Sequence, residues 1–187
     1  MSKSREKWNS RYRSRTRSAP TPPHFLVQAK DQLNPGSVLD VAAGDGAASL
    51  WLAANGFDVT ALDIAEEGLK RLQAFAEADG LSINTVQADL EQAGALEGLG
   101  TFNNAVVALY KPVDGFWAEL VAHLTPGAKV LLTTFNLQHH QHTGFSRRFC
   151  LSPNELAHVH PELSLLEYRQ TEHDGSWMDH YLFSCQS

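Results

Sequence analysis

Apolar runs of strand length alternate with helical patterns through the middle of the chain. Five such runs follow one another: SVLDVA, DVTALDI, SINTVQADL, NAVVALY and AKVLLTTFN. Helical patterns follow the first, second and fourth runs, near residues 46–55, 66–79 and 115–124. Because strands that alternate with helices form parallel βαβ units with right-handed crossovers, the pattern predicts a doubly wound sheet.

The C-terminal part breaks this alternation. LSLLEYRQTE and SWMDHYLFSC both have the composition of strands, and only HDG separates them. So short a connection cannot make a parallel crossover, so the two runs should form an antiparallel hairpin in which Asp174 and Gly175 supply the positive-φ turn. The predicted fold class is therefore α/β: a doubly wound, seven-stranded, mostly parallel sheet with an antiparallel last strand.

The prolines in SAPTPPHF mark a boundary near the N-terminus. We predict a basic N-terminal arm or lid over residues 1–24 and one domain over residues 25–187. Residues 1–17 carry seven Lys and Arg against one Glu, whereas the rest carries eight basic and twenty acidic residues. The arm could contact nucleic acid, but the acidic body offers no basic face, so a nucleic-acid partner is not expected. A solvated tail that folds over an anionic ligand and a transit peptide are the alternatives.

Hydropathy and cysteine content limit the cellular setting. No apolar run approaches the roughly 20 residues of a membrane helix, and no apolar segment typical of a signal peptide follows the basic start. Cys150 and Cys185 are too few and too far apart for a disulfide framework or a zinc motif. We therefore expect a cytoplasmic protein without a membrane partner, either a monomer or a homodimer.

The stretch VLDVAAGDGAASL joins the first strand to a helix through a glycine loop. Such a loop points backbone N–H groups and a helix dipole at a polar or negative ligand. Asp63 ends the next strand, where it could accept two ribose hydroxyls or cap the following helix. Asp89 ends the third strand, where it could accept from an adenine amino group while the Leu90 N–H reaches a ring nitrogen. All three strand ends should meet at one edge of the sheet.

VLDVAAGDG, VTALDIA and VQADLE, in this order and spacing, resemble the first three motifs of class I S-adenosylmethionine-dependent methyltransferases. The terminal hairpin resembles the reversed last strand of their Rossmann-like fold. The resemblance implies S-adenosyl-L-methionine as cofactor, with Asp40 fixing the glycine loop by hydrogen bonds. The first glycine of the family pattern is replaced by Ala42, which is tolerated if its φ stays negative. The implied cofactor-binding residues are Asp40, Ala42, Gly44, Gly46, Asp63, Ile64, Asp89, Leu90 and Ala108.

EKWNSRY resembles the start of small methyltransferases of the tellurite-resistance and thiopurine type, which carry a Trp-x-x-Arg-Tyr segment. The resemblance implies that Trp8, Arg11 and Tyr12 lie over the cofactor pocket and help to bind substrate. The alternative is a short amphipathic helix whose aromatic side chains dock on the core.

The acceptor side carries weaker signals. ALYKPVDG lacks the Asn/Asp-Pro-Pro-aromatic motif of amino-methyltransferases, and Tyr110 could line the methyl path or merely cap the core. In NLQHHQHTGFSRRF, His139 or His140 could act as a base and Arg147 could grip an anion, unless this is an exposed loop without a role. No cysteine or carboxylate joins these histidines, so no metal is predicted. His158 and His160 are expected at the surface of a short helix, SPNELAHV.

These features favour an enzyme, a methyltransferase that acts on a small-molecule acceptor such as a thiol or a chalcogen oxyanion. A nicotinamide-dependent oxidoreductase is one alternative, but Ser49 stands where the dinucleotide fingerprint has its third Gly or Ala. A non-catalytic cofactor-binding protein on the same fold is the other.

Overall fold

A computed structural model of the chain describes residues 3–186. Within this range one seven-stranded sheet lies between two layers of helices. The strands are β1 (Ser37–Val41), β2 (Asp58–Asp63), β3 (Ile83–Gln87), β4 (Phe102–Ala108), β5 (Leu124–Phe135), β6 (Leu163–His173) and β7 (Ser176–Cys185). The α-helices are α1 (Lys3–Arg13), α2 (His24–Gln28), α3 (Ala47–Ala54), α4 (Glu66–Ala78), α5 (Asp114–Ala122) and α6 (Leu137–Thr143). Two short 3-10 helices span Lys30–Gln32 and Arg147–Phe149.

The strand order is β3-β2-β1-β4-β5-β7-β6. The first five strands in this order are parallel, and β7 pairs antiparallel with both β5 and β6. Asp174 and Gly175 take φ values of 48° and 72° in the turn between β6 and β7. The predicted fold class and its antiparallel last strand are confirmed. The order reverses between β1 and β4, and ligands of such sheets bind at the carboxyl ends of the strands beside this switch point.

Alternating side chains of the strands fill two separate cores. Val41, Val107 and Leu132 pack with Trp117 of α5 on one face of the sheet. The opposite face carries Val38, Val106 and Leu131, which pack with Leu26 of α2 and Leu52 of α3. Burial on both faces explains why the strands read as nearly continuous apolar runs.

Three local predictions were wrong or incomplete. The segment SPNELAHV forms turns and not a helix, and Asn154 within it has a φ of 57°, which a helix cannot contain. His158 is exposed and His160 is half-buried. The segment after β5 is a helix and not a loop: the Asn136 side chain accepts from the N–H groups of Gln138 and His139 at its start. No helix in residues 3–186 has the length and apolar character to cross a membrane.

Candidate active site

Asp63 holds the glycine loop in place. Its two carboxylate oxygens accept from the N–H groups of Gly44 (2.8 Å) and Ala65 (2.7 Å). The same side chain therefore fixes the loop after β1 and starts α4. Burial raises the pKa of Asp63, which is only 7% exposed. Each carboxylate oxygen has a second lone pair, so Asp63 can still accept from a ligand.

Asp40 was predicted to fix the glycine loop by hydrogen bonds, and the hydrogen bonds that the described residues give it go to Ser49 of α3. Its carboxylate accepts from the Ser49 hydroxyl at 2.5 Å, so it joins β1 to the first turn of α3. Burial raises the pKa of Asp40 to about 7. This bond also accounts for Ser49, because a Gly or Ala at that position would keep the backbone donor but take away the hydroxyl donor of a buried carboxylate.

Ala42 adopts a left-handed conformation with a φ of 58°, so the negative φ that was the condition for tolerating alanine is not met. The loop turns at this point as sharply as if glycine were present. An L-residue pays a steric penalty there, because its Cβ approaches the following carbonyl oxygen. The alanine therefore preserves the loop shape at a cost in stability.

The segment that follows β3 comes close to Tyr110, which follows β4. Asp89 is half-exposed and accepts from the Glu91 N–H at 3.2 Å, while Leu90 is buried. Burial and the carboxylates of Glu91 and Asp89 raise the pKa of Tyr110 to about 12. The Tyr110 hydroxyl is buried and has no hydrogen-bond partner among the described residues. Tyr110 thus lies near the predicted adenine side of the edge.

Two further predicted cofactor residues lie at the same edge of the sheet. Ile64 is half-buried directly after β2, and its carbonyl accepts from the Gln87 side chain. Ala108 is half-buried at the end of β4, where it pairs with Thr133 of β5.

The N-terminal helix α1 covers the glycine loop. Tyr12 is 7% exposed, and a Cβ at Gly44 would collide with the Tyr12 hydroxyl. Gly68 allows equally close approach from α4, because its Cβ would lie 2.9 Å from the Gly44 carbonyl oxygen. The Asn9 side chain accepts from the Glu67 N–H at 3.0 Å. Tyr12 therefore packs on the glycine loop from within a helix, and its part in binding cofactor or substrate stays a prediction.

Two ion pairs of Asp45, which we call the latch, hold the segment after α1 against the glycine loop. Asp45, in the glycine loop, binds Arg15 at 2.7 Å and Arg71 of α4 at 3.3 Å. Arg71 also donates to the Thr16 carbonyl at 2.6 Å. Trp8 is half-buried and lies 6.3 Å from Tyr12 between ring centroids, and the guanidinium of exposed Arg11 lies over Trp8 at 5.2 Å. No local pattern signals the latch, because its partners are 30 and 26 positions apart along the chain.

His139 belongs to an aromatic cluster beyond the carboxyl end of β5. Its ring stacks on Phe135 at 4.2 Å between ring centroids and lies near Phe145 and Trp177, and His142 stacks on Trp177 at 4.2 Å. Burial lowers the pKa of His139, which favours the neutral imidazole that a base requires. Its Nδ1 is buried without a hydrogen-bond partner in the described chain.

The other two predicted acceptor-side residues, His140 and Arg147, have different surroundings from His139. The Nδ1 of His140 lies 2.6 Å from the Phe145 carbonyl oxygen, so it serves the loop after α6. Arg147 is exposed on its 3-10 helix. No group of three His, Cys, Asp or Glu side chains in residues 3–186 gathers as metal ligands.

Comparison with known proteins now decides the family. The sequence model of the tellurite resistance protein TehB family matches residues 7–175. The chain belongs to this family. It is thus related to class I S-adenosylmethionine-dependent methyltransferases, as the motifs predicted, and S-adenosylmethionine is the cofactor of the family.

Individual relatives agree with the TehB assignment. The probable S-adenosyl-L-methionine-dependent methyltransferase TehB of Haemophilus influenzae is 26% identical over 148 residues, which cover 78% of this chain and 52% of that protein. The ubiquinone biosynthesis O-methyltransferase of Rickettsia conorii is 30% identical over 104 residues, covering 53% of this chain and 35% of that protein. The chain thus spans about half or less of these relatives. The crystal structure of TehB from Haemophilus influenzae has the same fold, with a TM-score of 0.70 at 19% identity over 98% of this chain and 67% of that one.

Proposed function

We propose that this chain transfers the methyl group of S-adenosylmethionine to a small-molecule acceptor with a nucleophilic chalcogen, such as a thiol or a chalcogen oxyanion. The observation that carries the proposal is the meeting of three polar strand ends beside the switch point. There Gly44 and Asp89 follow β1 and β3, and Asp63 ends β2, at one edge of the sheet. The family and its relatives support the reaction class.

The residues present fit this cofactor. The Asp63 carboxylate already accepts from the backbone N–H groups of Gly44 and Ala65 and interacts with that of Ile64, so a ribose hydroxyl would use the acceptor capacity that remains. The Tyr110 hydroxyl is a buried donor without a hydrogen-bond partner among the described residues, and half-exposed Asp89 lies near it. We assign the ribose to Asp63, the adenine to Asp89 and Leu90, and the methionine part to the loop around Gly44, beneath Tyr12.

When bound, the cofactor supplies an electrophilic methyl group on a sulfonium. The chain's contribution is to align the acceptor with that methyl and to exclude water, and alignment alone supplies much of the rate. Tyr12 and α1 cover the loop and shield the site. An acceptor that is already a thiolate or an oxyanion needs little help from a base, so neutral His139 would matter only for acceptors that arrive protonated.

Calorimetric titration with S-adenosylhomocysteine, beside NADH, tests the cofactor assignment. We expect micromolar binding of the first compound and none of the second. Asp89→Ala should weaken this binding about tenfold or more, whereas Asp58→Ala, at the opposite end of β2, should leave it unchanged. Binding of NADH alone, or equal affinity in both variants, would refute the assignment.

Turnover is measured separately with radiolabelled S-adenosylmethionine and a panel of thiols, tellurite and selenite. Methyl transfer to at least one acceptor is expected. Tight cofactor binding without transfer to any acceptor would favour the non-catalytic alternative. The cytoplasmic location and the arm and domain limits stay predictions.

A further inference from the structure

Asp179 is a buried carboxylate without a cation as its partner. It lies on β7 opposite Thr134 of β5, and its exposed fraction is 0%. None of the ion pairs found in residues 3–186 includes it. A buried charge without an opposite charge costs more free energy than a neutral side chain of the same shape. Folding alone therefore does not explain why this position carries an aspartate.

Three neutral donors surround the Asp179 carboxylate. One oxygen accepts from the side-chain amides of Asn136 and Gln170, each at 2.9 Å, and the other accepts from the Tyr168 hydroxyl at 3.0 Å. Gln170 and Tyr168 belong to β6, whereas Asn136 directly follows β5 and caps α6. Asp179 thus joins the terminal hairpin to the residue at which α6 begins.

The bond between Asp179 and Asn136 decides which way the Asn136 amide points. A carboxylate can only accept, so the NH2 group of the amide must face Asp179. The amide oxygen then faces α6, where it accepts from the backbone N–H groups of Gln138 at 3.0 Å and His139 at 3.3 Å. Without the carboxylate, a rotated amide would turn its NH2 group towards these N–H donors, and the cap of α6 would be lost.

The cap acts directly on His139, which is the third residue of α6. The His139 ring stacks on Phe135, and its Nδ1 has no hydrogen-bond partner in the described part of the chain. The Asn136 backbone is held separately, because its N–H donates to the Trp177 carbonyl at 3.1 Å. Loss of the side-chain cap should therefore loosen the first turn of α6 and the His139 ring while the end of β5 stays in place.

We propose that Asp179 is a positioning residue for methyl transfer. Through the Asn136 amide it holds the first turn of α6, so that the His139 imidazole can take the proton of an acceptor that arrives protonated. This inference rests on the proposed function. For a thiol acceptor, the thiol proton moves to the imidazole while the thiol sulfur forms a bond to the methyl carbon. The bond from that carbon to the sulfonium breaks, its electron pair stays on the departing sulfur, and the imidazolium then releases the proton to water.

Two thiols separate this role from a merely structural one. At pH 7 2-mercaptoethanol is mostly protonated, whereas 4-nitrothiophenol is ionised and needs no base. Asp179→Asn keeps the shape of the side chain but replaces one acceptor oxygen by a donor NH2 group. We expect it to lower kcat/KM for 2-mercaptoethanol about tenfold and kcat/KM for 4-nitrothiophenol less than about twofold. Equal losses for both thiols would overturn the proposal, since Asp179 would then serve only the structure.

The control is Tyr168→Phe, which removes another donor to the same carboxylate and leaves the bond from Asn136 intact. It should keep the ratio of the two kcat/KM values found for the unmodified chain. Asn136→Ala should reproduce the effect of Asp179→Asn, and the double variant should be no slower than either single variant, because both changes break one link. Multiplied effects, or a changed ratio in Tyr168→Phe, would contradict a role through Asn136.

NMR titration of the His139 ring tests the same link without turnover. Burial lowers the pKa of His139 in the unmodified chain. Asp179→Asn should raise this pKa towards the ordinary value of about 6.5, because a loosened first turn lets water reach the ring, and Tyr168→Phe should leave it unchanged. An unchanged pKa in Asp179→Asn would overturn the proposal even if no thiol is methylated. Failure of the unmodified chain to bind S-adenosylhomocysteine would instead refute the proposed function.

Discussion

Replacing Ala42 by glycine should stabilise the protein, although alanine-to-glycine changes usually destabilise. Ala42 has a φ of 58° and is half-buried against the core on the α5 side of the sheet. Glycine removes the clash between the Cβ and the following carbonyl oxygen. The loop bonds made by Gly44 and Asp63 do not involve the Ala42 side chain, so they should survive the change.

Three contributions set the size of the change in the free energy of unfolding. Relief of the left-handed conformation contributes about 1.5 kcal/mol. The greater chain entropy of unfolded glycine costs about 0.7 kcal/mol, and loss of a half-buried methyl costs about 0.3 kcal/mol. The free energy of unfolding should therefore rise by about 0.5 kcal/mol, which corresponds to a melting temperature about 1 to 2 °C higher.

A matched variant isolates the strain from the other two terms. Ala88 is also half-buried against the same core, and its φ lies outside the left-handed region. Ala88→Gly keeps the entropy and methyl costs without the relief, so it should destabilise by about 1 kcal/mol. Urea denaturation of both variants should then differ by about 1.5 kcal/mol. Equal destabilisation of both would show that Ala42 is not strained, and the loop geometry described above would be wrong.

Three further predictions concern the same edge. Asp45→Asn removes both ion pairs of the latch. S-adenosylhomocysteine should then dissociate about fivefold faster in stopped-flow measurements. An unchanged dissociation rate would show that α1 does not gate the site. Tyr110→Phe removes a buried hydroxyl that has no hydrogen-bond partner in residues 3–186, so the melting temperature should rise by about 1 to 3 °C. The same variant should bind S-adenosylhomocysteine about fivefold more weakly. Tighter or equal binding would exclude a contact between Tyr110 and the cofactor. The pKa of Asp40 is raised from 3.8 to about 7 in the folded state, so stability contributed by its protonated form is complete below about pH 4 and is lost as the pH rises through 7. Asp40→Asn keeps the acceptor for Ser49, so its gain in melting temperature over the unmodified chain should be larger at pH 8 than at pH 5; a gain independent of pH would show that Asp40 does not titrate in this range.

Periodicity was enough to predict the sheet and its edge. The apolar runs specify strands, and a polar residue at the carboxyl end of a parallel strand lies at the rim of the sheet. Asp63 and Asp89 could therefore be located before any contact was known. The hairpin was equally secure, because three residues cannot span a parallel crossover and Asp174-Gly175 favours positive φ.

Contacts between distant segments could not be predicted in this way. The bond from Ser49 to Asp40 and the latch at Asp45 depend on how helices pack on the sheet, which no local pattern encodes. The φ of Ala42 depends on the path of the chain between β1 and α3, and alanine itself favours the opposite sign. The start of α6 was a missed local signal, since Asn136 and the left-handed Gly144 are an ordinary cap and stop.

The two halves of the edge differ in how many contacts their side chains already make with the rest of the chain. On the proposed cofactor half, Asp63 holds the glycine loop with two hydrogen bonds, and Asp45 of this loop binds the segment after α1 through Arg15. On the proposed acceptor half, the Nδ1 of His139 has no hydrogen-bond partner within residues 3–186, and Leu109 is exposed. Cofactor exchange must therefore disturb existing bonds, whereas an acceptor only adds contacts that are missing. We accordingly expect the arm to control the rate of cofactor exchange and the ends of β4 and β5 to control which acceptor is used.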